Sequence, residues 1–307
     1  MHDEEVDVDD DLVRLLLAAQ LPDLADLPVT RIEAWGTDHA IFRLGDHLSV
    51  RLPKIGWAAS QGKEEAAWLP VLAPLLPVEV PVPRAVGEPA EGYPFHWYVA
   101  PWLDGRNPAA DGATDGRIVL AKDLAAFVLA LQAVGDVVDA ATAPRLFRGQ
   151  RGGPLEQADE YTRLRAPDLR GEAGDAAVEG LLAVWDAGLH AAAWDRSPRW
   201  FHGDLMDGNL LIRDGRLTGV IDWGSLAAGD PAVDLVICWS FLDGPSRAAY
   251  RDALGFVDED MWRRGRAWAV SAAIQALPYY RDTNPDIVAR SWRAVRAALA
   301  DLDEHGR

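Results

Sequence analysis

His202, Asp204 and Asn209 stand with Leu205 in the order H-x-D-L-x-x-x-N, within Phe201–Ile212 (FHGDLMDGNLLI). This is the spacing of a phosphoryl-transfer catalytic loop. Asp222 follows at the end of an apolar run, in Gly219-Val220-Ile221-Asp222-Trp223-Gly224. Between Asn209 and Asp222 the chain reads as strand, tight turn, strand, with Asp214-Gly215 as the turn signal. A hairpin there carries Asn209 and Asp222 to the same end of two paired strands. An amide oxygen and a carboxylate oxygen so placed suit one hard cation, as a magnesium–nucleotide complex requires. Asp204, a few residues away on the loop, is suited to accept the proton of an attacking hydroxyl. Any one of these residues alone reads as a turn or a cap; the ordered set points to chemistry.

The stretch HGDLMDGNLLI…GVIDWGSLAAGDPAVDL resembles the signature of the aminoglycoside phosphotransferases, and a weaker likeness runs from about Ile32 to the C-terminal helices. The resemblance implies an α+β, bilobal protein-kinase-like fold, with a small N-terminal antiparallel-sheet lobe and a larger, mainly helical C-terminal lobe. By that likeness Asp204 is the catalytic base, His202 braces the loop, and Asn209 and Asp222 bind Mg2+. Asp234 would anchor the loop's backbone from the start of a helix. Met206-Asp207 departs from the His-Pro that many relatives carry there. The chemical positions stay intact, but the local shape of the loop is left open.

The elements that must position these groups are legible upstream. Asp9–Asp11 cap a helix over Leu12–Leu21. Strands are expected at Val29–Trp35, Ala40–Leu44 and Leu48–Leu52. In the kinase-like reading the turn Gly36-Thr37-Asp38-His39 is the flap over the nucleotide phosphates, Gly36 and Thr37 offering backbone N–H groups. Arg51 takes the place of the usual phosphate-contacting lysine, because Val50 and Leu52 alternate with it; Lys54 is the fallback. A helix over Gln61–Leu72 supplies Glu65, or its neighbour Glu64, as the partner of Arg51. Pro74–Pro83 reads as a connector. Tyr93–Leu103 reads as an aromatic strand, and the resemblance makes Ala100–Leu103, with Ala100 and Trp102, the hinge whose backbone binds the adenine edge.

Helices follow at Ala121–Val134, Asp175–Trp194, Leu235–Leu242, Pro245–Leu254, Glu259–Ala276 and Asp286–Leu302, with Thr142–Asp168 irregular. Trp239, Trp262, Trp268 and Trp292 are expected in the core. The lobes are placed at 1–103, nucleotide-binding and ending in the hinge, and 104–307, catalytic and substrate-binding.

A chain of 307 residues with 49% hydrophobic and 25% charged residues has the composition of an ordinary globular protein large enough for two lobes. A net charge of −18 argues against nucleic acid and against an anionic membrane surface as partners. One cysteine, Cys238, excludes an internal disulfide. The acidic N-terminus lacks the pattern of a signal peptide, and no apolar run looks long enough to span a bilayer, so a cytoplasmic location is expected.

Together these readings anticipate a small-molecule kinase. It would use ATP or GTP with Mg2+ to phosphorylate a hydroxyl of an aminoglycoside-like, cationic antibiotic and so confer resistance. The alternatives are a metabolite or macrolide kinase of the same fold, and a non-catalytic nucleotide-binding module. Acidic residues before the catalytic loop (Glu156, Asp159, Glu160, Asp168, Glu172 and Asp175) and at Asp258–Asp260 would concentrate a polycation. The oligomeric state is open.

Overall fold

The short apolar runs after Pro28 pair into a sheet whose central strand, Leu48–Pro53, is buried along its whole length. The computed structural model describes residues 5–32, 38–108, 117–144, 146 and 150–305. Its N-terminal part comprises α1 (Asp10–Gln20), β1 (Val29–Ile32), β2 (His39–Leu44), β3 (Leu48–Pro53), α2 (Gln61–Leu72), β4 (Ala85–Gly87) and β5 (Trp97–Pro101). The five strands form one antiparallel sheet in the order β1-β2-β3-β5-β4.

Phe42, Val50 and Val99 lie opposite one another across three strands and share a core with Val13, Leu16 and Leu17 of α1. One step along the pleat, Arg51 pairs with Tyr98 and both turn to the other face. There α2 approaches so closely that a side chain at Gly62 would meet the Tyr98 ring at 2.8 Å. The sequence-based alternation therefore placed Arg51 on the correct face. All of β3 is nonetheless buried, because α1 covers one face and α2 the other.

Asp9 caps α1 by accepting from the Leu12 N–H at 2.8 Å, as its sequence indicates. Pro70 is accommodated near the C-terminal end of α2. Two differences from the sequence reading stand out. β4 was not anticipated; it is a three-residue edge strand after the Pro-rich connector. The aromatic strand is only Trp97–Pro101, since Ala90 and Tyr93 close a separate turn. Trp35, Gly36 and Thr37 lie outside the described residues.

By compactness the chain divides into Met1–Gly105 with Thr218–Gly224, and Arg106–Leu217 with Ser225–Arg307. The first boundary falls close to the expected Leu103. Thr218–Gly224 joins the first unit because the Glu79 N–H donates to the Thr218 carbonyl at 2.8 Å and the Val220 N–H to the Glu79 carbonyl at 3.0 Å. The Pro-rich connector thus supplies a strand-like partner as well as a link.

The second unit is mainly helical: α3 (Arg117–Ala133), α4 (Asp159–Arg165), α5 (Arg170–Ala173), α6 (Asp175–His190), α7 (Ile237–Ser240), α8 (Gly244–Leu254), α9 (Glu259–Tyr280) and α10 (Pro285–His305). Its short strands are β6 (Arg199–Phe201), β7 (Leu210–Arg213), β8 (Arg216–Val220, whose end belongs to the first unit) and β9 (Ala227–Gly229). β7 and β8 form the expected hairpin. Asp214 and Gly215 both have positive φ, 53° and 75°, as a tight turn matched to strand twist requires.

α3 packs on α8, and α9 packs on both α6 and α10. Trp239, Trp262 and Trp268 are buried as expected, whereas Trp292 is only partly covered. The membrane reading needs one correction. Arg117–Asp136, which is α3 with its following turn, has the length and mean hydropathy (1.8) of a spanning helix. Half of it is buried, and Leu120, Leu124, Phe127, Val128 and Leu131 form the apolar face of a core helix.

Candidate active site

The catalytic-loop motif is held by its own backbone. In the second unit Asp234 accepts from the main-chain N–H groups of His202, at 3.0 Å, and Gly203, at 2.9 Å. Gly203 has φ +81°, and a Cβ there would stand 2.5 Å from the Ser225 carbonyl oxygen, so no other residue fits. His202 is fully buried, and its Nδ1 accepts from the Asp204 N–H at 3.3 Å. Burial pushes the Asp234 carboxyl up to about 7; the two N–H bonds oppose that rise, Asp204 adds to it and Arg151 reduces it.

Asn209 donates through Nδ2 to the Asp204 carbonyl at 2.8 Å and to Asp204 Oδ2 at 3.1 Å. That use of the nitrogen leaves the amide oxygen, the hard-donor atom, for a cation. The other carboxylate oxygen, Asp204 Oδ1, accepts from Arg151 Nη2 at 2.5 Å. The sequence reading did not single out Arg151, because it sits in the glycine-rich stretch taken as irregular. The structure fixes that stretch: Gly152 (φ +89°) packs so tightly on Phe201 that a Cβ would lie 2.3 Å from the ring, and its carbonyl accepts from the Asp230 N–H at 3.0 Å.

Asp207 was also overlooked. It is buried and held by Arg290 and Arg293 of α10. The departure at Met206-Asp207 thus has a local partner set.

In the first unit Arg51 lies between two carboxylates. Nη1 stands 3.8 Å from Glu65 and Nη2 stands 3.7 Å from Asp222. Glu65 also accepts a short hydrogen bond from the Tyr98 hydroxyl. Burial alone would lower the Arg51 pKa, but Tyr98, Glu65 and Asp222 outweigh it and raise it, so the guanidinium stays charged. Its Nε is buried with no hydrogen-bond partner among the described residues, and both ion pairs exceed hydrogen-bond length.

Asp222 has φ +64°, a conformation rare outside glycine, and its side chain is 41% exposed. Lys54, the fallback, pairs with Glu5 at 3.7 Å instead. Of the flap, Gly36 and Thr37 lie outside the described residues. His39 belongs to β2 and is buried, with its pKa lowered by burial and then by Arg51 and Lys54.

At the expected hinge, the Trp102 N–H donates to the His47 carbonyl at 2.8 Å and the Ala100 carbonyl accepts from the Ser49 hydroxyl at 3.3 Å. Both residues therefore direct their backbone at β3. The alternation of the ladder turns the Pro101 carbonyl to the opposite edge.

Among the described residues no cluster of three His, Cys, Asp or Glu side chains forms a metal cage. Asn209 in the second unit and Asp222 in the first each carry an oxygen of the hard-donor type.

The acidic segment is less open than its sequence suggests. Asp159 binds Arg163 and the Trp185 Nε1–H, Asp168 binds Arg165, Glu172 binds Arg281 and Asp175 binds Arg170. Asp258 caps α9 and pairs with Arg196, while Glu259 and Asp260 pair with Arg251 and Arg263. Only Glu156 and Glu160 have no arginine partner among the described residues.

The fold recurs in solved structures. The GDP and kanamycin complex of APH(2")-IIia superposes with a TM-score of 0.73 at 20% identity, covering 94% of this chain and 98% of that one. The GDP complex of wild-type aminoglycoside 2'-phosphotransferase-IIIa gives 0.72 at 20% identity, covering 96% and 99%. Macrolide 2'-phosphotransferase MphH from Brachybacterium faecium, as apoenzyme, gives 0.61 at 26% identity, covering 94% and 98%. No curated protein matches the sequence. The model of the phosphotransferase enzyme family, APH, matches residues 29–268. That span exceeds half the chain, which therefore belongs to this family of kinase-like enzymes that transfer phosphate to hydroxyl groups.

Proposed function

We propose that the protein transfers the γ-phosphate of ATP or GTP to a hydroxyl of a small molecule, with Asp204 as general base. The observation that carries this reading is the Asp204 carboxylate itself. It is held at Oδ2 by Asn209 and at Oδ1 by Arg151, on a loop clamped by Asp234. A carboxylate so fixed can take the hydroxyl proton without reorganising.

Arg51 is the phosphate contact: its charge is assured by Glu65 and Asp222, and about a tenth of its side chain is exposed to a ligand. The Pro101 carbonyl and Leu103 N–H are the groups that suit an adenine or guanine edge. Asn209 and Asp222 would hold Mg2+, which when bound neutralises charge on the phosphates.

Neighbours solved with kanamycin, gentamicin and streptomycin, and the charge of −18, support an aminoglycoside-like acceptor and a role in resistance. A second reading, a neutral sugar hydroxyl such as a macrolide offers, is favoured by two observations. Arginines already engage most of the acidic segment, and Arg151 places a cation on the base. A nucleoside-diphosphate release assay over aminoglycosides, macrolides and hydroxylated metabolites, with ATP and with GTP, tests both. Release stimulated by one acceptor class identifies the substrate. No stimulation by any hydroxyl compound, with nucleotide still bound, would favour the binding-module alternative.

A further inference from the structure

Asp207 is a carboxylate that the proposed chemistry does not use, yet it is 1% exposed. A charge buried to that degree persists only where its partners are well placed. Arg290 Nε donates to Asp207 Oδ1, and Arg293 Nη2 donates to Oδ2 at 3.2 Å, so each carboxylate oxygen is tied to α10. Arg290 also reaches Met206 Sδ through Nη1 at 3.2 Å. Its Nη2 lies 3.1 Å from where a Cβ on Gly208 would stand. One guanidinium therefore bonds to Met206 and Asp207 and leaves little room for a side chain at Gly208. Arg293 is in turn fixed by donating through Nε to the Ser240 carbonyl at 2.9 Å.

Asp207–Asn209 is a single 3₁₀ turn, closed by the Asn209 N–H donating to the Met206 carbonyl at 2.9 Å. With Asp207 pinned at one end and this bond at the other, the backbone of Asn209 has one position. From it the Asn209 amide nitrogen reaches Asp204 and the amide oxygen faces away from that bond.

We propose that Asp207, clamped by Arg290 and Arg293, is a positioning residue that sets the Asn209 amide for the metal–nucleotide complex, making α10 a strut of the catalytic loop. The inference rests on the reading of Asn209 as a metal ligand and deepens it. It predicts that loosening the clamp weakens nucleotide binding only when magnesium is present.

The test is calorimetry of ADP or GDP, whichever the wild type binds, in excess magnesium and in EDTA, on the full chain. Asp207→Asn should cut the magnesium-dependent gain in affinity by roughly 5–20-fold and leave the EDTA affinity within twofold. Arg293→Ala, a milder change because that side chain is 42% exposed, should cut it by about 2–5-fold and serves if Asp207→Asn does not fold. Asn209→Ala is the reference. If it loses the magnesium gain while Asp207→Asn and Arg293→Ala keep theirs, even with a lower Tm, the clamp is structural only and the inference is overturned. If Asn209→Ala itself keeps the gain, the metal-ligand reading fails and the inference falls with it.

Discussion

Arg51 and Asp204 sit in charge clusters of different construction. Around Arg51 two carboxylates lie near one guanidinium at 3.7 and 3.8 Å, and a buried Nε has no partner among the described residues. Around Asp204 both carboxylate oxygens are hydrogen-bonded and the supporting backbone is closed by Asp234. The buried Nε has no accessible surface, so a ligand oxygen meets only the exposed tenth of the Arg51 side chain. The Asp204 carboxylate has one donor on each oxygen, which holds it in place and leaves a further acceptor site on each. The first cluster suits the proposed phosphate contact and the second the proposed proton acceptor.

The largest effect should come from Asp222, which bears the only full negative charge among the two proposed metal ligands. Asp222→Asn is preferred to alanine because asparagine tolerates φ +64° while losing the charge. Turnover should fall by at least ~10³-fold, the scale of several kcal/mol of lost charge stabilisation. The magnesium dependence of nucleotide binding should fall with it in calorimetry. Retained magnesium dependence would remove Asp222 from the metal.

Next in size, Arg51→Ala should raise the nucleotide KM by about 10–100-fold, matching the ~1.5–3 kcal/mol of a charged hydrogen bond. The acceptor KM should move little. Lys54→Ala should stay within about threefold, because its pair with Glu5 is a partly exposed ion pair worth at most ~1 kcal/mol. The reverse pattern in steady-state kinetics would exchange the roles of the two residues.

A smaller effect separates the clusters by pH. Asp234 has a folded pKa of about 7, above the ~3.9 of an unfolded aspartate, so folding favours its protonated form. Its contribution to stability is full below about pH 4 and is lost as pH rises through about 7. Urea midpoints should fall across that window, by an energy on the order of a few kcal/mol. In Asp234→Asn the fall should flatten. A wild-type midpoint that is level from pH 4 to 8 would contradict the raised pKa.

How much of this was legible from the sequence differs between the clusters for a physical reason. His202, Asp204 and Asn209 lie on one short loop and Asp222 follows the hairpin beyond it, so their spacing along the chain was enough to single them out. Arg51 and Glu65 were legible because the two-residue period of β3 fixes a face and α2 follows directly. Arg151, Arg290 and Arg293 were not, since their partners lie 53, 83 and 86 positions away and no local periodicity encodes that pairing. Ala100 and Trp102, taken as hinge residues by resemblance, direct their backbone at β3, and a resemblance does not say which edge a carbonyl faces. The acidic segment misled for another reason: arginines three to five positions from Asp159, Asp168, Asp175 and Asp260 were in view, but only the structure shows that they engage these carboxylates.

The central claim, that Asp204 is the base of a hydroxyl-directed phosphotransferase, is tested most directly by single-turnover transfer of labelled γ-phosphate to the acceptor found in the release assay. Wild type and Asp204→Asn should be compared at saturating, calorimetrically matched nucleotide. The account predicts a phosphoryl-transfer rate lower by ~10²–10⁴-fold in Asp204→Asn, with nucleotide affinity unchanged. Transfer at the wild-type rate, or a loss explained wholly by weaker nucleotide binding, would contradict it.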